Sequence, residues 1–349
     1  MADSAETGRP RINVSRGFMP WLAASGGSIA LTTYQSGRFL LLGADADGSL
    51  SWFEREFVRP MGIAVTEDAR SIVLVTQFQI HRFNDVVAGE AGTPFDAAFV
   101  PHVSWTTGSV DAHDVGFASD GRPIFVNTLY SCVARVSGER NFDVLWTPPF
   151  VSDLAAEDRC HLNGMAMVDG APRFVTAVSR ADVKDGWRDR RGDGGIVMDL
   201  EGDRIVAESL SMPHSPRYHR DRLWLLNSGA GAFGFVDLAR GTFEPIAFCP
   251  GYARGLRFAG RFAIIGLSAP RADGAFEGLR LQSELEARKQ EPFCGLLVVD
   301  LTTARSEWLK FEGAINELYD VAFLPGVRKP SLVGFKTDEI KLRVSFARA

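Results

Sequence analysis

The sequence predicts an all-β protein that folds as a single β-propeller. Three observations support this prediction: a two-strand pattern recurs along the chain, neighbouring copies lie 39 to 65 residues apart, and long helical patterns are nearly absent. Further strand-like runs follow each copy, so one repeating unit holds about four antiparallel strands. Four-stranded units of this length are typical of propeller blades, which surround a central channel.

Each copy consists of a polar or glycine-containing step, four or five alternating apolar residues, a turn and a second apolar strand. The third copy, for example, reads NGMAMVDGAPRFVTAVS from Asn163, and the runs GGIVMDL and RIVAESL follow it. The copies begin at Met61, His113, Asn163, Ser215, Arg254 and Tyr319. We expect each copy to supply the two innermost strands of one blade.

The segments at the two ends of the repeat decide the number of blades. Residues 28–57 contain the strands of a further blade, and WLAASGG from Trp21 is a possible innermost strand for it. We therefore predict seven four-stranded blades. The last unit shows only three strands, ending at IKLRVSF from Ile340, so RINVSRGF from Arg11 is expected to add the missing outer strand and close the ring without an exposed edge. Six blades, with the N-terminal strands completing the last blade, is the alternative.

The predicted organisation places two insertions on one face of the propeller. We expect residues 1–10 to be disordered and residues 11–349 to form the propeller. In a four-stranded blade, the turn between strands two and three lies at the same end as the link to the next blade. The two longest insertions, at about 180–195 and 270–292, both fall on that face. Long loops in a compact domain are often functional, so this face is expected to carry the site.

Composition excludes several classes of partner. Lys and Arg total 38 against 43 Asp and Glu, the net charge is -5, and no run of basic residues occurs, so no nucleic-acid partner is expected. Neither a signal-peptide pattern nor a membrane-spanning apolar stretch is present, which predicts a cytoplasmic protein with no membrane partner. The four cysteines lack CxxC spacing, which fits a reducing compartment. No P-loop or GxGxxG motif occurs, so no nucleotide cofactor is expected. No feature indicates an oligomeric state.

Polar residues gather where the innermost strands begin, at the predicted mouth of the channel. Among them are three of the six histidines of the chain, His113, His161 and His214. Polar side chains also stand where the second strands end. We therefore predict a binding site for a small, anionic molecule at this mouth. The residues expected to contact it are Asn127, Asn163, Arg217, Asn227, Arg254 and Tyr319.

Two kinds of chemistry remain open at the channel mouth. The three histidines come from successive blades, and imidazole is a common metal ligand, so together they are candidates to hold one divalent ion. Alternatively, the histidines act without a metal as catalytic acids and bases, with Asp114 as the carboxylate beside them and an arginine that binds the anion. Either chemistry suits a lyase, an isomerase or a hydrolase. Cys160 is a candidate thiolate nucleophile, although an ordinary buried cysteine is the simpler interpretation.

The insertion from Arg180 to Gly195 is rich in charged residues and supports two interpretations. Its charges either pair with one another in a solvated loop, or the loop closes over a negatively charged ligand. In the second case the contacts come from Arg188, Arg190 and Arg191, and Trp187 either stacks on the ligand or pins the loop. A non-catalytic scaffold that docks a protein or peptide on this face is the alternative to an enzyme.

Several segments resemble a family of bacterial conserved hypothetical proteins, a domain of unknown function that is sometimes fused to tetratricopeptide repeats. The likeness covers nearly the whole chain after the first 15 or so residues. It is carried by DAHDVGFASDGRPIFVNTLYSC, EDRCHLNGMAM, GWRDRRGDGG, LSMPHSPR, LWLLNSG and ELYDVAFLPG. The resemblance implies no established activity, so any function must be argued from the site itself.

Overall fold

The computed structural model describes residues 10–87, 94–270, 277–341 and 343–344. Within these ranges the strands form six sheets, each the blade of a β-propeller. The chain begins with β1 (Arg11–Val14) and the helix α1 (Phe18–Ser25). The expectation of seven blades is therefore wrong, and the six-bladed alternative holds.

Blade 1 joins the two ends of the repeat. Its innermost strand comes from the C-terminal part of the chain and its other three strands from the N-terminal part. In order from the channel outward they are β25 (Val321–Pro325), β2 (Gly27–Thr33), β3 (Arg38–Ala44) and β4 (Leu50–Glu56). The pairing is antiparallel, with Ile29 opposite Phe323. The first strand of the unit from Tyr319 and the N-terminal strands, which the repeat pattern assigns to two blades, thus form one blade, and the second strand of that unit lies outside it.

Blades 2 to 6 follow in chain order, each with its first strand at the channel. Blade 2 contains β5 (Ile63–Val65), β6 (Ser71–Val75), β7 (Gln79–Asp85) and β8 (Ala97–Thr106). Blade 3 contains β9 (Ala112–Phe117), β10 (Pro123–Asn127), β11 (Cys132–Arg135) and β12 (Asp143–Trp146). Blade 4 contains β13 (Leu162–Val168), β14 (Ala171–Ala177), β15 (Gly195–Asp199) and β16 (Arg204–Leu210). Blade 5 contains β17 (Pro213–His219), β18 (Arg222–Asn227), β19 (Ala232–Asp237) and β20 (Thr242–Phe248). Blade 6 contains β21 (Tyr252–Ala259), β22 (Phe262–Ser268), β23 (Gly295–Asp300) and β24 (Ser306–Glu312).

The terminal segments cover the outer edges of two blades. Strand β1 pairs with β24 as a fifth strand of blade 6, so RINVSRGF does add an outer strand, but to a different blade from the one expected. Strand β26 (Pro330–Leu332) pairs in parallel with β8 of blade 2. Beyond it, Asp338–Lys341 form a 3-10 turn in place of the predicted strand IKLRVSF, of which Leu342 and residues 345–346 lie outside the described residues.

The segment WLAASGG was expected to be a strand, but most of it lies in α1. The helix ends because Gly26 adopts a left-handed conformation with φ of 69°, which glycine does without steric cost. Phe18, Trp21 and Leu22 are buried against core residues of blades 1 and 6. This largely apolar helix therefore packs between blades 1 and 6, where the two ends of the repeat meet, instead of joining a sheet.

Hydroxyl side chains join neighbouring blades next to the channel. Each stands at or just beyond the end of a second strand and donates a hydrogen bond to a backbone carbonyl of the following blade or the link to it. The pairs are Thr32 to Met61 (2.6 Å), Thr128 to Leu162 (2.6 Å), Ser228 to Ala253 (2.7 Å) and Ser268 to Leu318 (3.1 Å). The polar ends of these strands therefore have a structural role. No helix in the described part of the chain has the length and apolar character needed to cross a membrane.

Candidate functional site

The channel contains a buried ion-pair cluster formed by Asp114, Arg217 and Asp320. The guanidinium of Arg217 binds Asp114 through two hydrogen bonds of 2.6 and 3.0 Å, and its Nη2 lies 3.9 Å from Asp320 Oδ1. Its remaining donors meet the carbonyl oxygens of Leu256, Met165 and Pro216. Burial alone would lower the pKa of Arg217, but the two carboxylates raise it, so the arginine stays charged.

The two carboxylates of this cluster also bind the backbone of neighbouring blades. Asp114 accepts a hydrogen bond from the N–H of Met165 in blade 4, and Asp320 accepts one from the N–H of Ile63 in blade 2. Burial raises the pKa of Asp320 to about 7. Asp114 and Arg217 therefore join neighbouring blades, and this structural role is sufficient to explain why they are buried. We had expected the two residues to act in catalysis and substrate binding.

The three histidines of the channel mouth are each held through the Nδ1 atom. Nδ1 of His214 lies 2.9 Å from the carbonyl oxygen of Met212, which is an acceptor only, so we assign the proton to this nitrogen. Nδ1 of His113 lies 3.0 Å from the carbonyl oxygen of Asp111 and 2.8 Å from the Thr128 hydroxyl, whose own proton is used elsewhere. Nδ1 is therefore the donor in both rings, which leaves Nε2 as an acceptor.

His161 is held by the carboxylate of Asp158, with 2.9 Å between Nδ1 and Oδ2. Burial, with a further contribution from His113, lowers the pKa of His161 well below its usual value, so the ring is neutral near pH 7. Burial raises the pKa of Asp158 to about 7. The pair therefore contains a carboxylate that exchanges its proton near neutral pH beside a neutral imidazole.

Each of the three histidine rings contacts a neighbouring aromatic or imidazole ring. His113 packs edge-on against His161 with ring centroids 4.9 Å apart, and Tyr319 lies 5.5 Å from His113. His214 contacts Tyr252 at 5.6 Å, and its Nε2 faces the side-chain amide of Asn163 at 3.5 Å. We call His113, His161, His214, Arg254 and Tyr319 the mouth cluster. The structure thus brings together the three histidines, Asn163, Arg254 and Tyr319, as the repeat pattern suggested.

The metal site expected from the three histidines is not present as a ligand set. Among the residues described, no group of three or more His, Cys, Asp or Glu is arranged to hold a metal ion. His113 and His161 pack edge to face, whereas His214 is directed to Asn163. The charge of Arg254 also lowers the pKa of His161 and His214 and would repel a second cation. Carboxylates also lie beside these rings, with Asp158 2.9 Å from His161 and Asp111 3.7 Å from His113, so the mouth contains charges of both signs.

Arg254 is a cation between two aromatic rings. Its guanidinium carbon lies 5.5 Å from the ring centroid of Tyr252 and 5.1 Å from that of Tyr319. Within the described ranges no carboxylate forms an ion pair with it, although the charges of Glu317 and Asp111 act on it, and its buried Nε has no hydrogen-bond partner. Burial would lower the pKa of Arg254, but the surrounding tyrosines and acids raise it, so the charge persists. Arg254 as a whole is half-buried, and a partly desolvated charge without an ion-pair partner is available to an anionic ligand.

The two insertions meet beside the mouth cluster. Trp187 of the first insertion stacks on His161 at 4.1 Å and donates a hydrogen bond from Nε1 to Asp158. The second insertion carries the helix α2 (Arg280–Arg288). Residues 271–276 of this insertion lie outside the described part of the chain. Leu279, Leu281 and Leu285 of the second insertion form one apolar cluster with Trp187, Tyr252, Met212 and Val178. The insertions therefore pack together on the site.

The loop arginines have mainly local partners. Arg188 forms an ion pair with Asp185 at 2.9 Å and lies over the ring of Trp187 at 4.6 Å. Arg191 approaches the carbonyl oxygen of Glu277 in the second insertion, at 3.5 Å. Arg190 lines a separate polar pocket with Arg180 and Glu208. The pairing of Arg188 with Asp185 agrees with the interpretation in which the charges of this loop pair with one another. The charge of Arg188 also contributes to the lowered pKa of His161.

Asn127 holds a turn, and Asn227 holds the link between blades 4 and 5. The Asn127 Oδ1 atom accepts a hydrogen bond from the N–H of Tyr130, and the Asn227 Oδ1 atom accepts one from the N–H of Ser211. Neither residue lines the small cavity below the mouth cluster. Cys160 is fully buried, and burial raises the pKa of its thiol to about 12, so it behaves as a core residue.

Sixteen described residues other than glycine have a positive φ, and five of them lie in the segments that carry the histidines. Asp111, Asp158, His161, Met212 and Ser215 all have φ between 46° and 51°, a region that L-residues other than glycine rarely adopt. Such strain is frequent where side chains must be held for function. Sequence reasoning missed Asp158 and Tyr252, although an acidic residue three positions before His161 was a usable signal.

The cavity enclosed below the mouth cluster is small. Its lining includes His113, His214, Arg254 and Tyr319, together with the buried ion-pair cluster. Its volume is about 10 Å³, which is room for about one water molecule. A ligand held by the mouth cluster must therefore extend outward, toward the insertions.

Comparisons with known proteins agree with the fold and supply no activity. A family model described as a domain of unknown function, DUF4915, matches residues 16–333, which confirms the resemblance seen in the sequence. No curated protein matches the chain. A solved structure titled as a nidogen/laminin complex is 10% identical, with a TM-score of 0.55 over 86% of this chain and 99% of that one. A streptogramin B lyase structure is 12% identical, with a TM-score of 0.41 over 82% of this chain and 76% of that one. At such identities the first likeness shows the propeller fold alone.

Proposed function

We propose that this chain, which belongs to the DUF4915 family of domains of unknown function, binds a small anionic molecule at the channel mouth and acts on it by histidine acid–base chemistry. The observation that carries the proposal is Arg254, a guanidinium between Tyr252 and Tyr319 with no ion-pair partner among the described residues. A carboxylate of the ligand would complete that pair. Arginine suits this role because its planar donors match a carboxylate.

His113 is the proposed proton acceptor. Its Nδ1 is occupied by Asp111 and Thr128, so Nε2 carries the free lone pair, and the ring lines the cavity below Arg254 and Tyr319. In the proposed step, Nε2 takes a proton from a C–H bond next to the ligand's carboxylate or from water. An isomerase would return this proton to another carbon, a lyase would pass it to the leaving group, and a hydrolase would use the deprotonated water as nucleophile.

His161 and Asp158 form the proposed proton reservoir beside this base. The His161 ring contacts His113, and Asp158 gains or loses its proton near pH 7 because burial raises its pKa. A group that titrates near the working pH is suited to proton exchange in either direction. The proposal therefore assigns binding to Arg254, proton abstraction to His113, and proton storage to Asp158 and His161.

Binding is tested by calorimetry with small carboxylates and their neutral amides. We expect carboxylates to bind and the matched amides to bind weakly. Arg254→Met should weaken carboxylate binding about 10- to 100-fold, the effect of losing a charge-assisted hydrogen bond. Arg257→Met is the matched control, because Arg257 is on the same strand and donates to the carbonyl oxygens of Ile63 and Leu256. Equal binding of amides and carboxylates would contradict the proposal.

Proton abstraction is tested in D₂O by following the exchange of carbon-bound hydrogen in the bound carboxylate with NMR. We expect wild-type protein to accelerate this exchange, and His113→Gln to stop it while binding remains. Wild-type protein that binds carboxylates without exchange or turnover would remove the catalytic part of the proposal and leave an anion-binding propeller.

A further inference from the structure

A pocket of about 500 Å³ lies between helix α2 and the end of blade 6. Its apolar wall includes Tyr252, Leu281, Leu285 and Pro292. Charged and amide residues of α2 and the segment after it stand at its edge, among them Gln282 and Glu286, which are exposed. A pocket of this size and character is typical of sites for small organic ligands.

Tyr252 belongs both to this pocket and to the surroundings of the mouth cluster. Its ring lies 5.5 Å from the guanidinium of Arg254 and 5.6 Å from the ring of His214. The polar pocket on the other insertion shares no residue with this group. Because the cavity below the mouth cluster holds only about one water molecule, the rest of an anchored ligand has to extend outward. The pocket that shares Tyr252 is the neighbouring volume able to receive it.

We infer that the ligand is an amphipathic anion, whose charged group binds Arg254 and whose apolar chain or ring fills the pocket beneath α2. This inference rests on the proposed function and specifies its substrate class. Leu281 and Leu285 set the preference for an apolar group, because both line the pocket and pack in the cluster that contains Trp187. The second insertion is then the specificity element of the site, and the first insertion covers the proton-exchanging pair.

The test is calorimetry with straight-chain carboxylates from acetate to octanoate. Each methylene that enters the pocket should raise the affinity about fourfold until the pocket is full. Gln282→Trp fills the pocket from an exposed position of α2, so it should remove the gain with chain length while acetate binding stays unchanged. Ser283→Trp is the matched control, because Ser283 is exposed on the same helix and does not line the pocket.

The outcomes separate the two proposals. Affinity that rises with chain length in wild type and Ser283→Trp, but not in Gln282→Trp, supports the pocket. Carboxylates that bind with no dependence on chain length overturn the pocket and leave the anion site standing. If no carboxylate binds at any length, the anion site fails, and the inference fails with it.

Discussion

The indole of Trp187 lies on the imidazole of His161, with ring centroids 4.1 Å apart and planes inclined by 28°. The same indole donates a hydrogen bond of 2.9 Å to Asp158, the carboxylate that holds Nδ1 of His161. One side chain of an insertion thus fixes both members of a buried acid–base pair. The position of the insertion and the protonation of the pair are therefore coupled.

Trp187→Phe should separate stacking from hydrogen bonding. The variant keeps an aromatic ring over His161 but loses the indole N–H that stabilises the Asp158 carboxylate, so the pKa of Asp158 should rise above about 7. We also expect a loss of about 1 kcal/mol in the free energy of unfolding. Carboxyl NMR shifts and urea denaturation measure the two effects. Trp146→Phe is the control, because its indole donates to Asp203 at an exposed site; equal effects at both sites would contradict the coupling.

Asp158→Asn should change the pH dependence of stability. Burial raises the folded pKa from 3.8 to about 7, so the stability linked to this group is fully present below pH 3.8 and is lost as pH rises through 7. The variant should gain stability relative to wild type between pH 4 and 8, by at most about 4 kcal/mol. Melting temperatures across this range measure the gain. Asp189→Asn is an exposed control in the same insertion. A lower melting temperature of Asp158→Asn than of wild type in this range would contradict the prediction and would indicate that Asp158 and His161 form a charged ion pair.

His214→Gln should make the protein less sensitive to acid. Burial, with the charge of Arg254, lowers the folded pKa of His214 well below 6.5. Through His214 the wild-type protein therefore loses stability as pH falls below 6.5, by about 1.4 kcal/mol for each unit of difference between the pH and 6.5 until the folded pKa is reached. His161 and His81, whose pKa values are also lowered, add separate losses. Glutamine does not titrate, so the part of the loss that comes from His214 should disappear in the variant when unfolding is followed from pH 8 to 5, and the part from the other buried histidines should remain. His102→Gln, at an exposed position, should retain the wild-type acid sensitivity.

Arg217→Met should destabilise the fold strongly. The change leaves Asp114 and Asp320 buried near each other without their cation, a situation that costs about 3 to 5 kcal/mol. The double change Arg217→Met with Asp114→Leu should recover part of the loss. Arg180→Met is the control, because its pair with Glu208 is more than half exposed and contributes less than about 1 kcal/mol. A loss as small as that of Arg180→Met would contradict the structural role.

The fold and the site were predictable from the sequence to different degrees. The repeat pattern located the innermost strands and so placed His113, His161 and His214 at one end of the channel. It could not show that residues 28–57 lack an innermost strand of their own, because that strand, β25, lies almost 300 residues away in the chain. The pairing of Asp114 with Arg217 is equally non-local. Alternation of apolar residues identifies strands, but it carries no information about which distant strand completes a sheet.

The closing of blade 1 by β25 sets the order in which the molecule can be completed during synthesis. When the ribosome has made β2, β3 and β4, the inner edge of β2 has no partner, and its seven residues are all buried in the finished protein. This edge stays unpaired until residues 321–325 emerge, and an unpaired strand edge can pair with other chains. Tyr319 arrives with the same segment. Arg254 and the histidines of the proposed site are consequently made before Tyr319, and a translation product interrupted before residue 319 would carry them without a complete site.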